Sequence, residues 1–117
     1  MKLFLDDTRI LKSDDKFDVV VDSFITFKAV IDELLELEEN WLEVVSLDYD
    51  LSRTDREHTG LTCLNYLLLV CVTYGLTVPE IIIHSSWYNV ELKFDPVVKI
   101  YQEEIDQQIQ IQYKSRP

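Results

Sequence analysis

Glycine, proline and cysteine are all scarce in this chain: two, three and two residues among 117. So little glycine and proline leaves no composition for a flexible linker, and residues 1–117 read as a single domain of ordinary size. Two cysteines cannot build a disulfide scaffold. If Cys63 and Cys71 share a helix, they stand about 12 Å apart along its axis, past the roughly 7 Å that a disulfide spans. They read as buried thiols in a reducing compartment. Long apolar runs are missing too. Met1-Lys2-Leu3-Phe4-Leu5-Asp6-Asp7 is too short for the apolar core of a signal peptide. The run Leu64–Val72 is interrupted by Asn65 and Tyr66 and closed by Thr73, short of the roughly 20 residues that cross a bilayer. The expectation is a soluble, cytoplasmic protein with no membrane partner.

Positive charge is the last shortage. There are 11 Lys+Arg against 22 Asp+Glu, a formal charge of −11. A surface this negative repels phosphate backbones, which argues against general nucleic-acid binding. The excess is uneven: residues 1–60 carry 7 basic and 16 acidic side chains (7 − 16 = −9), and residues 61–117 carry 4 and 6 (4 − 6 = −2). It fits a pocket for a cation, a partner with a basic face, or solubility alone.

What the chain has is apolar sequence, 47% of its residues, arranged in alternating short and long segments. Leu3-Phe4-Leu5 is a strand that stops at Asp6-Asp7, and Phe17–Val21 is a second, β-branched one. Ser23 is placed to cap a helix whose apolar residues Phe24, Phe27, Ile31, Leu34 and Leu35 repeat at helical spacing. Its other face carries Asp32, Glu33, Glu36 and Glu39, a solvated face or a docking surface. Val44–Leu47 is a third strand, ending at Asp48-Tyr49-Asp50, and a polar loop from Ser52 to Thr59 follows. Gly60–Tyr74 is helical and apolar on most sides, closed by Gly75. Glu80–Ile83 after Pro79 is a fourth strand, ending at His84-Ser85-Ser86. Asp95–Gln107 reads as a helix with Val97, Val98, Ile100, Tyr101 and Ile105 inward. Ile109–Tyr113 alternates as a half-exposed edge strand does.

Nearly continuous apolar strands separated by helices indicate a parallel sheet with helices on both faces, an α/β three-layer architecture of flavodoxin type. In such sheets the site lies beyond the carboxyl ends of the strands. Three strands end in polar groups: Asp6-Asp7, Asp48 with Asp50, and His84-Ser85. Carboxylates gathered on one rim repel one another unless a cation sits among them. Hard oxygen donors suit Mg2+, or Mn2+, shared with a phosphate. Asp6, Asp7 and Asp48 are the candidate metal ligands. Asp48 is also a candidate nucleophile, and Ser85 a donor to a phosphoryl oxygen. Arg9 or Lys114 would neutralise developing charge, and His84 would transfer protons near neutral pH. Asp50 completes the acidic set. The bland readings stand beside these: aspartates at strand ends often cap turns, His58 in its charged loop reads as surface, and Trp87 and Tyr88 form a base-stacking platform or simply pack.

The ordered motifs Leu3-Phe4-Leu5-Asp6-Asp7-Thr8-Arg9, Ser46-Leu47-Asp48-Tyr49-Asp50-Leu51, Thr59-Gly60 and His84-Ser85 resemble the cyclic-phosphate-processing receiver domains, relatives of response-regulator receivers found in bacteria and phages. The resemblance covers residues 1 to about 86. It implies a five-stranded receiver-like sheet. It also implies an acid pair at Asp6 and Asp7 that binds Mg2+, a phosphoacceptor or metal-binding aspartate at Asp48, and a receiver Ser/Thr at Ser85. The receiver lysine would be Lys114, or its place would be taken by Arg9. If Lys114 ends the fifth strand, the final receiver helix is missing, which favours a homodimer. The family often has His where this chain has Tyr49, and Gly where it has Ser52; the first change removes a proton-transfer group. The expected ligand is a phosphate-bearing small molecule or an RNA end. A receiver-type switch and a non-catalytic acidic module that binds a host protein are the competing readings.

Overall fold

The computed structural model describes residues 1–7, 17–38, 40–85 and 87–115. Its elements run β1 (Lys2–Leu5), β2 (Val19–Val21), α1 (Phe24–Leu37), β3 (Val44–Leu47), α2 (Gly60–Tyr74), β4 (Glu80–Ser85), α3 (Glu91–Gln102) and β5 (Ile111–Ser115). The expected caps at Ser23 and Gly75 are in place, and Thr59, read from the sequence as the end of a loop, caps α2. Ser23 and Thr59 each accept a backbone N–H of the following turn and form a capping box with Thr26 and Thr62. Gly75 ends α2 in the left-handed region at φ 65°, a conformation glycine adopts without a Cβ penalty.

All strand pairs are parallel, in the order β2-β1-β3-β4-β5. Three polar strand ends, those of β1, β3 and β4, therefore belong to neighbouring strands. The connections β2 to β3, β3 to β4 and β4 to β5 all step the same way across the sheet, so right-handed crossovers put α1, α2 and α3 on one face, and the helices expected on the other face are not found among the described residues. Leu3, Leu5, Val45, Leu47, Ile81 and Ile83 point to that face and form one core with Phe27, Ile31, Leu64, Leu67, Leu68 and Phe94. The alternate residues Phe4, Ser46, Ile82 and His84 point to the opposite face. There Phe4 packs on Phe17 at 5.0 Å and stacks on the His84 ring at 4.5 Å. Asp32 is more than part of a solvated face: it pairs with Lys28 and accepts a short hydrogen bond from Tyr66, tying α1 to α2.

The C-terminal quarter departs from the sequence reading. The last helix spans 91–102 rather than 95–107, because its buried stripe is Val90, Phe94, Val98 and Tyr101 at i, i+4, i+8 and i+11. Phe94 is fully buried and anchors it; Ile100, expected inward, is 62% exposed. Pro96 lies inside the helix on its exposed side. The Gln102 side chain stops the helix by donating to the carbonyls of Ile105 and Gln107 and accepting from the Ile109 N–H. The edge strand then starts at Ile111 rather than Ile109, and no helix follows it among the described residues. Strand β4 runs two residues further than expected and includes His84 and Ser85.

Cys63 and Cys71 are both free and buried. Burial, with Asp55 nearby, pushes the Cys63 thiol up, and burial pushes Cys71 up to about 11. Reaction with a thiol reagent at neutral pH is expected to wait for unfolding. Fast labelling of the folded protein, followed by mass, would contradict this.

Candidate metal centre

The sheet order reverses between β1 and β3, and there the acids meet. Asp6 follows β1 and is held by its N–H to the Val21 carbonyl; Asp48 follows β3 and is held by its N–H to the Leu5 carbonyl. Asp6 and Asp48 are 3% and 1% exposed. One carboxylate oxygen from each of Asp6, Asp7 and Asp48 lies within 4.8 Å of the others. Opposite ligands of an octahedral Mg2+ are about 4.2 Å apart, so small side-chain rotations bring these oxygens to one ion. The donor set is all oxygen, without thiolate or imidazole, which fits Mg2+ or Mn2+.

The loop between β3 and α2 is braced around this cluster. The Asp7 carboxylate accepts the Arg53 N–H at 2.9 Å, and Asp50 accepts the Ser52 N–H at 2.9 Å in an Asx turn. Asp55 caps α1 from outside by accepting the Phe24 N–H, and it also accepts the N–H groups of Glu57 and His58. Burial pushes the Asp55 carboxyl up, but these hydrogen bonds and His58 together hold it below the usual carboxylate range. His58, read from the sequence as surface, is part-buried: it pairs with Asp55 and packs on Phe24, and so serves the loop.

Gly60 opens α2 directly against the site. Its N–H donates to the Tyr49 carbonyl at 2.8 Å. A Cβ there would fall 1.8 Å from the Asp48 carbonyl oxygen and 2.8 Å from its carbon. Only glycine lets the helix start this close to Asp48.

Asp6, Asp7, Asp48, His84 and Ser85 thus gather at the ends of three adjacent strands. His84 is buried, with Nε2 3.2 Å from Asp6 Oδ2 and Nδ1 2.6 Å from Ser46 Oγ. Ser85 is buried and its hydroxyl oxygen accepts the Trp87 N–H. Asp50 is outside the three-acid cluster and serves the turn at Ser52. Lys114 lies in β5 beside His84, exposed. Arg9 lies outside the described residues. Sequence reasoning passed over Ser46, whose one signal was a hydroxyl in an otherwise apolar strand. Tyr49, where the family often has His, is turned to packing: it meets Trp87 edge-on at 5.1 Å and Phe94 at 6.0 Å.

An acid pair after β1, a third acid after β3 and a hydroxyl on the last residue of β4 thus stand at neighbouring strand ends. The family model described as the cyclic-phosphate processing receiver domain matches residues 1–93. The chain belongs to this family. No curated protein and no solved structure matches it. The match in this receiver-family chain ends one residue before Phe94, yet most of α3 and all of β5 lie beyond it and complete the same sheet and core. No helix among the described residues is long and apolar enough to cross a membrane.

Proposed function

We propose that this chain is a single divalent-metal-dependent receiver-like domain that binds, and in the catalytic form of this reading hydrolyses, a cyclic or terminal phosphate of a nucleotide or RNA end. The observation that carries the reading is the convergence of Asp6, Asp7 and Asp48 at the switch point of the sheet. Those three residues would hold Mg2+ or Mn2+. When bound, the ion offsets the local negative charge and polarises a phosphoryl oxygen. The chain's own groups do the rest. Ser85 uses its oxygen as acceptor for the Trp87 N–H, which leaves its hydrogen to donate to a phosphoryl oxygen. Asp48 is placed as ligand or nucleophile, and Arg9 or Lys114 supplies the cation. Trp87 and Tyr88, 48% and 89% exposed just after Ser85, offer faces on which a base stacks, worth about 1–3 kcal/mol per base. The two free, buried thiols agree with a cytoplasmic location.

A second reading has its own support. Tyr49 fills with packing the place where the family often carries a proton-transfer histidine, which favours binding without turnover. One experiment separates the two. Incubation with Mg2+ and a panel of 2′,3′-cyclic nucleotides and cyclic dinucleotides is expected to yield ring-opened monoesters if the domain is an enzyme. Metal-dependent binding with no product across the panel supports the binding module. The absence of both binding and product across the panel would overturn the phosphate reading.

A further inference from the structure

We propose that Ser46 and His84 are positioning residues that hold Asp6 in its ligating orientation; this rests on the metal reading above. The two residues and Asp6 come from three adjacent strands: Asp6 at the end of β1, Ser46 in β3 and His84 in β4. All three are 3% exposed. An ionised carboxylate only accepts, so the 3.2 Å contact puts a hydrogen on His84 Nε2, donated to Asp6 Oδ2. In the neutral ring the Ser46 hydroxyl donates to the lone pair of Nδ1 at 2.6 Å. One neutral tautomer satisfies the whole chain of bonds. The ring plane is set independently by Phe4, stacked at 4.5 Å with only 6° between the planes.

Three buried polar groups on a sheet face are costly where apolar residues would pack. A carboxylate with one oxygen tethered has lost its free rotation, and that is what a ligand to a small, geometrically demanding ion requires. Both nitrogens of His84 are committed to protein partners, on the sheet face opposite the helices. That placement favours orienting Asp6 over passing protons to a substrate. His84 therefore acts through Asp6, and Ser46 acts through His84.

Mn2+ binding by the full chain, followed by calorimetry or electron paramagnetic resonance, tests this without any substrate. His84→Leu is expected to weaken Mn2+ binding by about 10–100-fold. His84→Gln, which returns an N–H donor near the Nε2 position, is expected to recover most of that loss. Ser46→Ala, which touches no ligand, should lose several-fold. Metal-free thermal unfolding of each variant separates this from a loss of fold: recovery of affinity by glutamine without a matching recovery of stability is the signature of positioning. Wild-type affinity in folded His84→Leu would overturn the proposal. If His84→Leu does not fold, Ser46→Ala decides, and unchanged affinity there overturns it equally. Failure of the wild-type chain itself to bind Mn2+ would instead overturn the metal reading.

Discussion

Substituting Asp48 by asparagine is expected to abolish metal-dependent stabilisation of this receiver-family domain while leaving its fold intact. A ligand at a hundredfold excess over its Kd stabilises the state that binds it by about 2.7 kcal/mol. For a chain of this size that corresponds to a rise in Tm of roughly 10 °C. The wild-type protein should show a rise of that order as Mg2+ is added, and Asp48→Asn should show almost none. The amide keeps the size of the side chain, and the backbone N–H of Asp48 still reaches the Leu5 carbonyl. The change therefore removes a charged oxygen donor, and with it one of three mutually repelling carboxylates, at nearly constant size. Any phosphate binding or hydrolysis should disappear with it. Differential scanning fluorimetry with and without Mg2+ reads the outcome, and an undiminished shift in the variant would remove Asp48 from the metal site.

The second large effect is expected at Gly60. A methyl group there lands 1.8 Å from the Asp48 carbonyl oxygen, 2.8 Å from its carbon and 3.2 Å from the Tyr49 Cα, all of them backbone atoms. No side chain can swing away, so the start of α2 and the end of β3 must separate by more than an ångström. Overpacking of this kind costs about 3 kcal/mol. The displacement also moves Asp48 away from Asp6 and Asp7, so Gly60→Ala should lose metal affinity as well as stability. Gly75→Ala is the control. Its φ of 65° makes alanine strained, but nothing lies within 4 Å of the added Cβ, and a single left-handed residue costs about 1–2 kcal/mol. Denaturant unfolding should rank Gly60→Ala well below Gly75→Ala, and only the former should bind Mn2+ weakly. Equal effects on Mn2+ binding would show that the close approach at Gly60 does not shape the site.

The part of the fold that was legible in the sequence is the part governed by local rules. The Ser23 cap, Gly75 and the helical spacing of Phe27, Ile31 and Leu34 each act within a turn or two, and the structure has them where the spacing puts them. The last helix was misplaced because two apolar stripes compete within residues 90–105. One runs through Phe94 and the other through Val97 and Ile100. Only packing against α2 and the sheet selects Phe94, and Tyr49 meets it there at 6.0 Å. The strand ends were legible as polar stops, and the acid pair and Asp48 were nameable from residue type and order as acids that would cluster. Asp50 was a catalytic candidate beside Asp48 but not one of the candidate metal ligands. Two residues further along the chain, its carboxylate reaches the Ser52 N–H instead of the cluster.

Composition and local periodicity, on their own, determined that this chain builds a parallel α/β domain with acidic strand ends, since burial and capping are decided between near neighbours. Tertiary structure decided which of those ends meet. Ser46 and His84 are 38 residues apart, and His84 and Asp6 are 78 apart, so their contacts exist only through the order and register of three strands. Register is a collective property of the whole sheet: a slip of one residue would turn His84 to the helix face and Ile83 to the other.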